Sequence, residues 1–214
     1  MSRTRFQISM SLDGFIAGPD QSEPNPLGVG GIQLHEWVFA LQVWRASHGH
    51  EGGEVNASNA VLEELMDNVG ATVMGRNMFG GTGPWDEENP WDGWWGEDPP
   101  FHTPVYVVTH HARESVEMQG GTTFHFVTDG VESAVAQARE AAGDKDVAVG
   151  GGANVIQQCL KAGLIDEMTI HVVPLLLGDG ARLFEDLGGV GVNLECAGAI
   201  EAPGVTHLTY RVVG

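Results

Sequence analysis

Residues 146–160 read DVAVGGGANVIQQCL, a short β-branched run that meets three consecutive glycines and then an amphipathic stretch. Val147 and Val149 favour a strand, and Gly150, Gly151 and Gly152 let backbone approach backbone or a ligand. From Ala153 to Leu160 the helical spacing puts Val155, Ile156, Cys159 and Leu160 on one face. A helix entered from glycine presents N–H groups that no side chain caps. With the positive end of the helix dipole, these suit a phosphate or pyrophosphate without any lysine. The same turn can be no more than a close packing point, so its meaning depends on the rest of the chain.

The 214 residues, 42% of them hydrophobic, can bury one sizeable core, and a single domain over residues 1–214 is expected. Ten basic residues stand against 29 acidic ones, a formal charge of −19. That balance repels nucleic acid and anionic membrane surfaces, so neither is an expected partner. An anionic cofactor must then be held by local groups, mainly backbone N–H and one or two arginines. The two cysteines, Cys159 and Cys196, lack metal-ligand spacing, and Cys159 reads as a buried thiol on the apolar helix face. His48 and His50 with Glu51 have no companion ligand set and read as a solvated loop, so no metal is expected. The N-terminus lacks the apolar core of a signal peptide and no window has the length of a membrane span, which points to the cytoplasm.

Taken in order, residues 5–11 alternate as a half-buried strand ending at the turn signal Asp13-Gly14. Residues 18–31, rich in glycine and proline, read as a long loop whose ordering depends on a ligand. Residues 34–46 and 56–69 read as amphipathic helices, the second capped by Asn56 or Ser58. Residues 71–74 form a buried strand running into Gly75, Arg76 and Asn77, where an arginine at a loop tip either offers a fork for a phosphate or makes a surface salt bridge. Residues 80–100 hold four of the six tryptophans, Trp85, Trp91, Trp94 and Trp95. So much aromatic surface in a polar loop folds over its own domain, a ring-shaped ligand or a partner chain. In the second case Trp85, Trp94 and Trp95 are substrate contacts. Residues 104–109 are a strand with Thr109 and His110 at its end, where ligand-binding residues of open α/β sheets collect. Residues 123–128 follow as a strand and 132–142 as a helix. The last third is strand-rich: 166–174, then 192–197 and 205–213 as an antiparallel pair with Leu208, Tyr210 and Val212 on one face.

The motifs SLDGFIA, VMGRNMF, VYVVTHH and VGGGANVIQQCLKAGLIDEMTIHVVPLLLGDGARLFE, in this order, resemble the dihydrofolate-reductase-like family that includes the reductase domain of the bifunctional riboflavin-biosynthesis deaminase/reductase. The resemblance spans essentially the whole chain. It implies a three-layer α/β/α domain around a mostly parallel twisted sheet with antiparallel C-terminal strands, binding NADPH at the strand ends. By position it assigns Gly75, Arg76 and Asn77 to the adenosine end, with Arg76 on the 2′-phosphate. Thr109 and His110 fall on the adenine side. Gly150, Gly151, Gly152, Ala153 and Asn154 form the pyrophosphate turn, and the backbone of Ile16 and Ala17 faces the nicotinamide. Asp13 is the acid of the family motif, able to orient a substrate or relay a proton if burial raises its pKa, or else simply a turn residue. Glu185 is a second acid candidate.

The resemblance implies an NADPH-dependent reductase, expected as a homodimer, acting on a small-molecule substrate. No deaminase motif accompanies it, and no second basic cluster is present to hold a ribose phosphate. The aromatic loop suits a flat, less charged ring or carbonyl compound. A non-catalytic nucleotide- or ligand-binding protein on the same scaffold is the alternative, and a flavin in the same cleft a third reading.

Overall fold

The computed structural model describes residues 2–22, 24–80, 83–86, 88, 91–189 and 191–213. Its elements in chain order are β1 (Thr4–Ser11), β2 (Phe15–Ala17), α1 (Glu36–Phe39), α2 (Gln42–Ser47), α3 (Ala57–Met66), β3 (Val69–Gly75), α4 (Arg76–Phe79) and β4 (Pro104–Val108). There follow β5 (Val116–Glu117), β6 (Thr123–Val127), α5 (Val131–Ala142), β7 (Asp146–Gly151), α6 (Ala153–Lys161), β8 (Glu167–Val173), β9 (Ala181–Arg182), β10 (Asn193–Ala202) and β11 (Val205–Val213). The result is the mostly parallel sheet with helices and antiparallel C-terminal strands expected from the sequence. No helix among the described residues is long and apolar enough to cross a membrane.

The chain forms two compact units. The first comprises Met1–Phe6, Asn68–Asp166 and Asp186–Val190. Its strand order is β1-β7-β3-β4-β6-β5, parallel except for the short β5. Helix α5 turns a stripe of Val131, Ala134, Val135, Ala138 and Ala142 inward, the spacing of one helical face, and packs on β3, β4 and β7. On Met74, Phe79, Val105, Val107 and Phe124, all fully buried, lie Trp85, Trp91 and Trp95. The aromatic loop therefore covers its own core. Trp91 donates its indole N–H to the Phe79 carbonyl at 2.7 Å, and Trp94 sits against Trp91.

The second unit comprises Gln7–Asp67, Glu167–Glu185 and Gly191–Gly214. Here the order is β10-β11-β8 followed by the later part of β1, with β10, β11 and β8 antiparallel, and β2 pairs separately with β9. The single helix expected over residues 34–46 is instead a 3-10 turn (Gly31–His35), α1 and α2. The break has a physical cause: Gln42 N–H donates to the Glu54 carbonyl and Glu54 N–H to the Ala40 carbonyl, so backbone groups that would continue the helix pair with a distant strand-like segment. Helix α3 starts as expected from Asn56, whose side chain accepts from Ser58 N–H at 2.9 Å. It stops at Met66, earlier than residue 69, because Asp67 is extended and Asn68 adopts φ 59°.

The loop over residues 18–31 is held by its own backbone. Gly18 N–H donates to the Leu27 carbonyl and Val29 N–H to the Pro19 carbonyl. The approach is close enough that a Cβ on Gly18 would lie 1.8 Å from the Val29 carbonyl oxygen. Gly18→Ala is expected to cost at least about 2 kcal/mol in chemical denaturation. Gly198→Ala, whose Cβ would meet nothing within 4 Å, should stay within about 0.5 kcal/mol. Equal effects would mean that the loop contact contributes little.

Candidate functional site

Strands β7, β3 and β4 are parallel neighbours whose registers end them at one level, with Met74 opposite Gly151 and Gly75 opposite Val108. Three separated stretches of predicted site residues thereby reach one edge of the first unit: Gly150 to Asn154, Gly75 to Asn77, and Thr109 with His110. The strand β7 runs past Val149, where the sequence suggests its end, because Gly151 still pairs with Met74 across a register shift. The turn into α6 is made by Gly152 at φ 72°. Gly151, at φ 128°, also lies in the region that favours glycine. A Cβ on Gly152 would meet nothing within 4 Å, so open space lies beside it. Gly75 is glycine for another reason: a Cβ there would come 3.0 Å from Val155 Cγ2. At Gly152 of the glycine turn the approach is open, whereas Gly75, at the end of the neighbouring strand, is a close packing point.

Helix α6 has no side-chain cap among the described residues, and Ile156 N–H is the donor that closes back on the Gly152 carbonyl, at 3.2 Å. The earlier amides face outward along the helix axis and are acceptor-seeking. Asn154 is exposed at this end, where its side-chain oxygen accepts from Gln158. Thr109 is buried, takes an N–H···O bond to the Val127 carbonyl and accepts the His111 N–H on its hydroxyl at 3.1 Å. His110 and Asn77 are exposed.

Arg76 begins a single helical turn rather than a loop. Its guanidinium carbon lies 3.6 Å from the centre of the Trp85 ring, and Arg113 approaches the same ring at 5.0 Å. Arg113 is compensated by Asp92 at 2.7 Å. Arg76 Nε and Nη1 are buried with no hydrogen-bond partner among the described residues. Burial, followed by the charge of Arg113, pushes its pKa down to about 10, so it stays cationic at neutral pH. A stack of this kind is worth about 0.5–2 kcal/mol. Leaving a buried donor unpaired costs about 1–3 kcal/mol, so this cation is poised for an anion.

The acid candidates sit in the second unit. Asp13 accepts from the Ser11 hydroxyl at 2.6 Å and from the Leu177 and Gly178 N–H groups at 3.1 and 2.7 Å. The Ser11 bond, more than the two backbone bonds, holds its pKa below the usual carboxylate value. The condition for a proton relay, a pKa raised by burial, is therefore not met. Asp13 is an ionised tether between the β1–β2 turn and residues 177–178. Arg182 reinforces it, donating to the Asp13 carbonyl at 2.9 Å and stacking on Phe15 at 4.2 Å. Ile16 and Ala17 are buried on β2, and Ala17 packs so close to Gly180 that a Cβ there would lie 2.1 Å from the Ala17 carbonyl oxygen. Glu185 is exposed just beyond β9.

The family model of the RibD C-terminal domain matches residues 4–208. The chain belongs to the RibD C-terminal domain family. Among curated proteins it is 24% identical over 128 residues to the uncharacterized protein YyaP of Bacillus subtilis (strain 168), covering 58% of this chain and 64% of that relative's length. Among solved structures it resembles a Shewanella sp. PV-4 protein named for riboflavin biosynthesis, at TM-score 0.65 and 24% identity over 99% of both chains. It also resembles the Saccharomyces riboflavin biosynthesis reductase Rib7, at TM-score 0.55 and 14% identity over 99% of this chain and 90% of that one. At these identities the likeness is one of fold.

This RibD C-terminal domain also holds a polar chain that the sequence reading missed. In the second unit His171 Nδ1 lies 2.8 Å from His207 Nδ1, His171 Nε2 lies 3.0 Å from Gln7 Oε1, and His207 Nε2 lies 2.9 Å from Ser58 Oγ. With the Gln7 carbonyl as acceptor, the donors run in one direction: Ser58 O–H to His207, His207 N–H to His171, His171 N–H to Gln7. Both rings are neutral in this arrangement, and Trp37 packs against both. His171 and His207 face each other across neighbouring antiparallel strands 36 positions apart in sequence, a pairing that carries no spacing signal.

Burial, then the neighbouring His207 and His35, push the His171 pKa down to about 3. Burial alone lowers His207. The unfolded chain protonates these rings below its ordinary histidine pKa of about 6.5 while the folded one does so only at lower pH, so stability is full above that pH and falls as pH drops below it. For His171 alone the limiting slope is about 1.4 kcal/mol per pH unit. The melting temperature should fall between pH 7.5 and 5, and less steeply in His171→Gln than in the native protein; parallel profiles would remove the His171 contribution.

Proposed function

We propose that this chain is an NADPH-dependent reductase that passes hydride to a small heterocyclic or carbonyl substrate, in the manner of 5-amino-6-(5-phosphoribosylamino)uracil reductase or dihydrofolate reductase. The observation that carries the reading is the common level at which β7, β3 and β4 end, which gathers an uncapped helix start, an arginine and Thr109 at one edge. Ligands of open parallel sheets bind at such strand ends. Membership of the RibD C-terminal domain family supports it.

The residues fit a phosphorylated dinucleotide on two counts. Among the described residues the start of α6 is open at Gly152 and lacks a side-chain cap, and Arg76 is a buried cation with two donors unpaired. In this reading Gly150, Gly151, Gly152, Ala153 and Asn154 hold the pyrophosphate, Arg76 the 2′-phosphate, and Gly75, Asn77, Thr109 and His110 the adenosine end. When bound, NADPH supplies the hydride. The chain's own part is to hold and align the cofactor, which for hydride transfer is most of what a protein contributes.

One observation favours the alternative of a ligand-binding protein without turnover: Asp13, the acid of the motif, is held ionised by three donors. Oxidation of NADPH with any member of a panel of flat heterocycles and carbonyl compounds excludes that alternative.

Titrating NADPH and NADH by cofactor fluorescence tests the main reading. NADPH is expected to bind below millimolar concentration, and Arg76→Ala to weaken it about 10- to 100-fold while leaving NADH unchanged. Equal loss for both cofactors removes the 2′-phosphate role of Arg76, and no binding by the native protein removes the reductase reading.

A further inference from the structure

The contact between Arg76 and Trp85 has a consequence for how the site discriminates. A phosphate is recognised best by two N–H groups on one edge of the guanidinium, and each edge uses two of the three nitrogens. With Nε and Nη1 both buried, no edge has both of its nitrogens open. The planar fork is therefore present but withheld, its face covered by the indole at 3.6 Å.

Trp85 is itself firmly placed. Its indole N–H donates to the His111 carbonyl at 2.8 Å, its ring meets Phe126 edge-on at 4.9 Å, and Arg113 lies beside it at 5.0 Å. Arg113 has Asp92 and the Trp91 carbonyl as partners, whereas Arg76 has no carboxylate partner among the described residues. The ring thus attracts two cations, of which one is uncompensated among the described residues. An anion that grips a two-nitrogen edge of Arg76 has to bring Nε or Nη1 out of its burial, which loosens the guanidinium from the ring.

We propose that the Arg76–Trp85 stack is a masked anion subsite, in which a phosphate monoester on the ligand competes with the indole for the guanidinium, so that Trp85 sets how strongly phosphorylated cofactors are preferred. The inference rests on the NADPH reading above and adds to it a residue that tunes selectivity without touching the phosphate. Trp85 is a positioning residue here, acting through Arg76.

The experiment compares the full-length native protein with Trp85→Leu, Trp85→Phe and the Arg76→Ala/Trp85→Leu double variant. Kd is measured for NADPH, NADH and adenosine 2′,5′-bisphosphate, with melting temperatures as a check on folding. Removing the stack should tighten NADPH and the bisphosphate roughly three- to tenfold, leave NADH within about twofold, and place Trp85→Phe between native and Trp85→Leu. The gain should vanish in the double variant. In the native protein, tryptophan emission should shift with adenosine 2′,5′-bisphosphate and not with adenosine 5′-monophosphate, a readout that holds even if Trp85→Leu fails to fold. Native preference for NADPH with unchanged or weaker binding in folded Trp85→Leu overturns the masking and leaves the reductase reading standing. Absence of any NADPH binding by the native protein overturns both.

Discussion

The buried carboxylate of Asp146 fixes where the central strand β7 begins. It accepts the Arg3 N–H at 2.8 Å and pairs with the Arg5 guanidinium at 3.2 Å, while its own N–H donates to the Asn68 carbonyl. One residue thus aligns the starts of β1, β7 and β3. Removing a partner from a buried pair costs about 3–5 kcal/mol, so this alignment is strongly specified. The start of β7, together with the two register shifts along its pairing with β3, decides which residues stand at its far end. There Gly151 meets Met74, and the junctions after β7, β3 and β4 come level.

That level edge concentrates what an acidic chain has to offer an anion. With only 10 basic residues against 29 acidic ones, the overall field does not draw a phosphate in. In the proposed reading the affinity arises from short-range groups: backbone amides at the start of α6 and the Arg76 guanidinium. The second unit contributes rigidity of another kind. Asp13, held by Ser11, Leu177 and Gly178, fastens the turn after β1, and glycine-only contacts at Gly18 and Gly180 bring backbone against backbone. Beneath Trp37 the His171–His207 pair fills its hydrogen bonds while staying neutral.

Much of this was legible in the sequence because it follows from local pattern. The strand-glycine-helix run at residues 146–160 and the alternation after Val205 each appear as read, and Asn56 caps α3 as its residue type predicts. What escaped depends on contacts between distant residues. Nothing in the run from Phe39 to Gln42 announces that its backbone pairs with Glu54 and breaks the expected helix. The loop over residues 18–31 looks loose by composition, yet its glycines are there so that Gly18 can pass against Val29. Asp13 reads as a possible proton carrier until its three donors are known. Arg76 reads as a loop-tip arginine with a phosphate or a surface carboxylate as its partner, while the indole that covers it comes from a tryptophan nine positions on, at no helical or strand spacing.

If the ends of β7, β3 and β4 form a binding edge for the phosphates of NADPH, as proposed, a crystal structure of the protein with NADP+ will place the pyrophosphate against the amides of Gly152, Ala153 and Asn154, with the 2′-phosphate on Arg76. NADP+ bound with its phosphates away from these residues would contradict that proposal.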